Sequence, residues 1–547
     1  MTSGQDMKRK QIDFISELPS DIVGERIVPR IVGYDGGRFQ LHGRRNYFAV
    51  CKTWSKRIAE NDDSIHFDIE SHRLVSHRDW MRVQAVAPYI KTITVHAMME
   101  IHLSNLIRYT QFSSLHDLRI KVKGFQQVWM QLLRSIPGLR HLHIKFEAPG
   151  SQLQLCNMLN QCPGCIQLKL TMVSDLSLTS GTCHNSIYPN IRHLEVIYRR
   201  RNRSMNTQLC QHFPGLRLLR LSHLPPTQQD DLHMIFQHCP KLQHLLLGNQ
   251  SYVSDIETSM IQQGDSQGLR VISLRDVSLY GDAIADLMRR HHATLEAFAL
   301  EGYFRSSAPV GMLANDPIEF NQLRSLRFPH EMGVHVIDLL RWIISRAPYI
   351  EYVESRGGGC TQGEILDALM SRPVRSIHLE CSAFSSELSA RRFLNHHEQL
   401  STASSLQEVA CTIINPCGMS GDWVFSISKL QQLKSLELSL SSGGREDLME
   451  ILILFVTRGC NSLEKVTLTF PTLSVPVESI LPLSEHPHLK SLIIVSDSIP
   501  NDALQALECF WHLDVLHLKL KTFDWNAIAR LKSRILHLTC TVVKDHP

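Results

Sequence analysis

The sequence has no apolar run long enough to cross a bilayer: the longest, Ile451–Val456, falls far short of the roughly twenty residues a spanning helix needs. It also lacks a dominant charge. Its 57 basic and 53 acidic residues leave a formal net charge of +4, too balanced for a dedicated nucleic-acid binder. Cysteine is thin, 14 residues in 547, which excludes the dense disulfide framework of a small secreted domain. The polar stretch 1–10 lacks the apolar core of a secretory signal, so the thiols are expected to be reduced and the chain cytoplasmic or nuclear. What the sequence does have is apolar residues, 43% of the total, enough to bury large cores.

Those residues recur in phase. From about residue 90, an apolar residue is followed after two spacers by a second and after one more by a third, as in Leu139, Leu142, Ile144 and in Leu216, Leu219, Leu221. The first anchors of successive copies are Ile90, Leu115, Leu139, Cys165, Ile191, Leu216, Leu242, Leu269, Leu295, Leu323, Ile350, Val374, Leu406, Leu433, Leu463, Leu489, Leu513 and Ile535. Their mean spacing, about 26 residues, lies within the range of leucine-rich repeats. The last two apolar positions alternate along a short strand and point inward, and the residue between them faces solvent.

A helix is expected to close each copy, with candidates at 126–135, 154–161, 231–238, 282–290, 336–346, 445–457 and 501–509. The longer intervals 374–406 and 433–463 call for loop or helix extensions. Pro88, Pro137, Pro163, Pro189, Pro214, Pro240, Pro348 and Pro487 each sit two residues before an anchor, where proline stops a helix. Cys162, Cys239 and Cys460, three residues before their anchors, and the missing consensus asparagine resemble the helix-rich, cysteine-containing repeat subtype. The fold class expected is an α/β solenoid, a helix-rich leucine-rich-repeat horseshoe with a concave parallel sheet, spanning 61–547.

Residues 13–60 do not fit the repeat. They read Leu18-Pro19-Ser20-Asp21-Ile22-Val23, then Ile27, Val28 and Ile31, and later Tyr47-Phe48-Ala49-Val50-Cys51-Lys52-Thr53-Trp54. Pro19 suits the first position of a helix and Asp21 its positive end. Val23, Ile27 and Ile31 form one apolar stripe that so short a segment cannot bury by itself. The Leu-Pro start, apolar helix and Val-Cys-x-x-Trp cluster are similar to an F-box, a small α-helical module, here preceded by a disordered stretch 1–12. The resemblance implies docking of the adaptor subunit of an SCF-type cullin-RING ubiquitin ligase, and through it of cullin. Its matched positions are Leu18, Pro19, Ile22, Val23, Ile27, Ile31, Val50, Cys51 and Trp54.

Catalytic and metal signals are weak. Cys162-Pro163-Gly164-Cys165 has redox or half-zinc spacing, but both cysteines fall on repeat positions and one pair cannot close a zinc site. The pairs His291-His292 and His396-His397 read as loop residues, and Gly357-Gly358-Gly359-Cys360 as a turn without the lysine of a phosphate loop. Arg199-Arg200-Arg201-Asn202-Arg203 reads as a solvated loop after a strand at 191–196. No enzyme, cofactor or metal is implied.

Eighteen parallel strands at about 4.8 Å each would make a face roughly 80 Å long, a scale suited to a protein or peptide rather than a metabolite. The solvent-facing position is Arg119, His143, Lys169, Glu195 and Arg220 in five early copies, with Lys121 and Lys145 two residues beyond the first two. Later copies place Ala299, Ala410, Thr467 and Ile493 there. The early cations Arg119, Lys121, His143, Lys145, Lys169 and Arg220 are candidates for holding an acidic or phosphorylated target protein. The function expected is a substrate-recognition subunit of an SCF-type ligase, with no membrane or nucleic-acid role. A leucine-rich-repeat interaction scaffold not coupled to ubiquitylation is the alternative.

Overall fold

The computed structural model describes residues 38–40, 66–69 and the stretch 84–542 apart from connecting segments, the longest being 173–185 and 249–267. The chain divides into two compact units, Met1–Pro225 with Asp230–Gly248, and Pro226–Gln229 with Asn249–Pro547. In the first unit, nine strands run in chain order: β1 (Arg38–Gln40), β2 (His66–Ile69), β3 (Thr92–His96), β4 (Asp117–Val122), β5 (His141–Phe146), β6 (Gln167–Met172), β7 (His193–Tyr198), β8 (Leu218–Ser222) and β9 (His244–Gly248). Each pairs in parallel with the next. β1 and β2 lie ahead of the first anchor at Ile90, so the ladder begins earlier than the repeat pattern shows. β1 falls within the 13–60 segment, of which nothing else lies among the described residues.

The second unit continues the same plan with β10 (Val271–Leu279), β11 (Ala297–Phe304), β12 (Ser325–Phe328), β13 (Tyr352–Ser355), β14 (Ser376–Cys381), β15 (Glu408–Ile413), β16 (Ser435–Leu440), β17 (Lys465–Ser474), β18 (Ser491–Ser498), β19 (Val515–Thr522) and β20 (His537–Val542). These strands too are parallel and paired in order. Each unit is an α/β solenoid of helix-rich leucine-rich repeats.

The phase read from the sequence matches the burial. All eighteen anchors are 5% exposed or less, including Cys165 at 1%. Within β5, β6 and β13 burial alternates residue by residue, so Leu142, Ile144, Leu168 and Leu170 face the core and the residues between them face out. Each fully buried Leu or Ile contributes roughly 1.5–3 kcal/mol of hydrophobic stabilisation before the entropy of ordering it.

The prolines have a specific role. Leu139 N–H donates to the Ile136 carbonyl, Cys165 to Cys162, Leu216 to Phe213 and Leu242 to Cys239, over 3.0–3.3 Å. In each case proline is the second residue of a turn that delivers the chain from helix to anchor, the position its fixed φ favours. A second bond set then locks consecutive repeats. The carbonyl of the residue after most anchors accepts two N–H groups from the next copy: His116 from Arg140 and His141, Arg140 from Ile166 and Gln167, and in the second unit Glu351 from Arg375 and Ser376.

Helices return the chain over the buried face. Val128, Trp129, Leu132 and Leu133 are the core side of the helix Gln127–Arg134, and Val336, Ile337, Leu339, Leu340, Ile343 and Ile344 that of Val334–Arg346. The two long intervals hold the longest helices among the described residues, Phe384–Leu400 and Glu446–Gly459. No described helix is long and apolar enough to cross a membrane.

The repeated cysteines sit at the helix-to-turn junction. Cys162 Sγ donates to the Met158 carbonyl at 3.4 Å, Cys460 Sγ to that of Ile427 at 3.2 Å, and His486 takes the same place with Nε2 2.9 Å from the Cys460 carbonyl. Burial pushes the Cys460 thiol up to about 12, and the contact with Cys162 followed by burial raises that of Cys165, so both stay protonated and unreactive at neutral pH.

Of the paired histidines, only His292 lies in a connecting turn. His396 and His397 lie inside the helix Phe384–Leu400, and His291 ends the helix Gly281–His291. Helix extension across the long 374–406 interval draws His397 into the core, where it is 1% exposed with Nδ1 3.0 Å from Ser404 Oγ.

Two stability tests follow from this packing. A Cβ on Gly215 would collide with the Pro189 carbonyl oxygen, whereas one on Gly164 would sit 3.5 Å from that of Leu139, an ordinary contact. Gly215→Ala should lower stability by about 1–3 kcal/mol and Gly164→Ala by much less, as read from denaturant midpoints. Burial, and then His396, hold the His397 pKa at about 4, against 6.5 in the unfolded chain. The unfolded state therefore binds a proton in this window that the folded state refuses, and stability present above pH 6.5 is lost as pH falls towards 4. His397→Gln should flatten that part of the midpoint-versus-pH curve.

Candidate functional site

Because one sheet face is sealed by helices, the opposite face is where a partner can reach the strands. In the first unit the register aligns Thr94, Arg119, His143, Lys169, Glu195, Arg220 and Leu246 as consecutive strand neighbours from β3 to β9. Lys121 and Lys145 are register partners two residues further along β4 and β5. All six cationic candidates thus come together on four strands, β4, β5, β6 and β8, with Glu195 of β7 among them.

Their charges are partly matched from within. Glu195, with its side chain 12% exposed, sits between Lys169 Nζ at 2.8 Å and Arg220 Nη1 at 3.0 Å. The Arg220 approach is an ion pair rather than an aligned hydrogen bond. Arg119 spreads two nitrogens over Asp117, at 3.0 and 3.4 Å. His143 is not a cation at neutral pH. Burial first and Lys169 second bring its pKa down to about 4, against the opposing pull of Glu195, and its Nε2 lies 3.3 Å from Thr171 Oγ1. The row is therefore a set of held ion pairs around a neutral imidazole, with Arg119 the most exposed of the paired cations.

The second unit's open face has a different character. Its central row runs Ser273, Ala299, Arg327, Glu354, His378, Ala410, Glu437, Thr467, Ile493, His517 and Thr539. Arg327 pairs with Glu354, and His378 Nε2 lies 3.1 Å from Thr412 Oγ1. A recess over Ala297, Ala299, Arg327 and Tyr352 has a volume of about 110 Å³, smaller than the roughly 300–1,000 Å³ of small-molecule sites.

Charge also alternates where these strands begin. The residues after successive anchors are Arg270, Glu296, Arg324, Glu351, Arg375, Gln407, Lys434, Glu464, Lys490 and Asp514. Arg270 grips Glu296 at 2.6 and 2.8 Å, Arg324 lies 3.5 Å from Glu351 and Lys490 3.4 Å from Glu464. Strand alternation marks only the centre of each strand, so this row, although it stands one residue past each anchor, carries no apolar signal of its own in the sequence.

The adaptor-contact candidates Leu18, Pro19, Ile22, Val23, Ile27, Ile31, Val50, Cys51 and Trp54 lie outside the described residues, as do the arginine run at 199–203 and the glycine run at 357–359.

No family model matches the chain. No curated protein matches it. Among solved structures, it is similar to a leucine-rich-repeat protein of Leptospira interrogans, LIC12759, at 12% identity and a TM-score of 0.30, covering 88% of this chain and 96% of that one. It is similar to a chain of the Rad7–Elc1 complex of yeast at 11% identity and a TM-score of 0.31, covering 84% and 85%. It is similar to the leucine-rich-repeat ectodomain of the Arabidopsis receptor kinase HAESA, solved with an N-terminally extended IDA peptide hormone, at 12% identity and a TM-score of 0.26, covering 80% and 76%. The fold assignment rests on the strand ladder itself.

The central carboxylate can be tested directly. Removing Glu195 leaves Lys169 and Arg220 facing each other in a largely desolvated row, so Glu195→Ala should lower stability by about 1–3 kcal/mol, between exposed and fully buried pairs. Lys169→Ala should lower it less, because Arg220 still balances the carboxylate. Denaturant midpoints at low and high salt distinguish the two.

Proposed function

We propose that the chain is a non-catalytic substrate receptor of an SCF-type cullin-RING ubiquitin ligase. In this reading the segment 13–60 docks the adaptor, and with it cullin, while the repeats hold a target protein. The observation that carries the proposal is the Leu18-Pro19 start, the Val23, Ile27, Ile31 stripe and the Val50-Cys51-x-x-Trp54 cluster placed directly ahead of a repeat ladder. An apolar stripe too small to bury itself gains roughly 1.5–3 kcal/mol for each large aliphatic covered by a partner, so a few such residues suffice for stable docking. The repeats supply a long open face with held charged groups, suited to positioning a protein. Lys121, Lys145 and the Arg119-to-Arg220 row are the proposed target-contact residues.

The test is affinity purification of the full-length chain beside Ile27→Asp. The expected result is that wild type brings down adaptor and cullin, and that the variant loses both while keeping its other partners. Absence of adaptor and cullin from the wild-type complex, or their unchanged recovery with Ile27→Asp, would overturn the proposal and leave a repeat scaffold not coupled to ubiquitylation.

A further inference from the structure

The charge pattern at the start of the strands differs between the two units in kind. In the first unit the residues after successive anchors are Lys91, His116, Arg140, Ile166, Arg192, Arg217 and Gln243, with no acid among them. In the second unit acids recur along the same row, and each cation there has one on a neighbouring strand. Arg140 and Arg192 are exposed, and neither forms an ion pair with a described residue. Their backbones are fixed by the ladder, since each carbonyl accepts two N–H groups from the next repeat. The side chains are thus free while their origins are rigid, about 9.6 Å apart at two strand spacings.

This rim adjoins the central row. Over β3–β9, including the rim, the only carboxylates are Asp117 and Glu195, and both already sit on arginine or lysine. Those two contacts show what this surface does with a carboxylate: it grips it at 2.8–3.0 Å. Among the described residues, no such acid pairs with Arg140 or Arg192. An extended polypeptide carries same-side residues about 6.8 Å apart, a spacing that long arginine side chains can meet.

From this juxtaposition, and on the reading that the repeats hold a partner protein, we infer that the first unit binds an Asp/Glu-rich polypeptide segment laid across β5–β8, with Arg140 and Arg192 as its principal anchors. Nucleic acid fits this surface less well. Glu195 stands in the middle of the face and would oppose a continuous phosphate backbone. The outward positions of β4–β8 carry no Phe or Trp on which bases could stack, and the whole chain is only weakly basic.

The experiment uses the full-length chain and labelled peptides of eight Glu-Gly repeats, with the Gln-Gly counterpart as control and a single-stranded RNA of twenty nucleotides as competitor. The Glu-Gly peptide should bind, the Gln-Gly peptide should not, and affinity should fall with added salt. Reversing both anchors, Arg140→Glu with Arg192→Glu, should raise Kd at least tenfold. The single changes Arg140→Gln and Arg192→Gln should give intermediate losses, and Arg324→Glu on the second unit's rim less than twofold. Unfolding midpoints of the first-unit variants should match wild type, because both side chains point to solvent. Failure of the Glu-Gly peptide to bind, indifference to the double reversal, or displacement by RNA at equal charge concentration would each overturn the inference. Adaptor recovery with wild type and Ile27→Asp is read separately, so the two proposals fail independently.

Discussion

The carbonyl that follows most anchors carries two N–H groups from the next repeat, and most of what distinguishes this chain depends on that shared bond. A single copy has one strand and at most one helix, and it cannot cover its own apolar side. Once His116 is bonded to Arg140 and His141, and Arg140 to Ile166 and Gln167, the copies can add only in parallel and only in one register. A slip by one residue would turn Leu142 and Ile144 outward and bring His141 and His143 in, so the apolar pattern and the hydrogen bonds enforce the same answer.

The same lock explains why side chains far apart in sequence act as neighbours. Asp117 and Arg220 are separated by four repeats, yet they belong to one face in which charge is settled strand by strand. In the second unit this settlement is nearly local, with arginine or lysine and glutamate alternating where the strands begin. In the first unit Glu195 holds two cations along the centre, while at the rim Arg140 and Arg192 pair with no acid among the described residues. A chain with a formal charge of +4 therefore presents a face more basic than its composition suggests, because balance over the whole sequence is not balance over a surface.

Buried titratable groups follow the repeat rather than any reaction. Cys162, Cys239 and Cys460 donate to backbone carbonyls at the ends of helices, and His486 fills the same station in another copy. His143 and His397 are kept neutral by desolvation. These groups close hydrogen bonds that stacking would otherwise strand, which is why cysteine and histidine can exchange at one position without creating a reactive centre.

The sequence by itself determined the period, the anchors and the turns, since burial at Leu139 or Leu489 and a proline two residues earlier are properties of one copy and can be read within a single repeat. It also placed the solvent-facing row, because alternation along a strand has a fixed period of two. It did not determine which charges would meet. That Glu195 lies between Lys169 and Arg220, and that Arg140 and Arg192 pair with no acid among the described residues, follow from how copies about 26 residues apart meet, whereas His397 turns inward on the lengthened helix of its own copy to meet Ser404. The first two strands were hidden for a related reason: three or four residues paired only through a neighbour carry too little pattern to be seen until the ladder is assembled. Local periodicity sets what each repeat is, and the stacking of repeats alone decides which side chains share a surface.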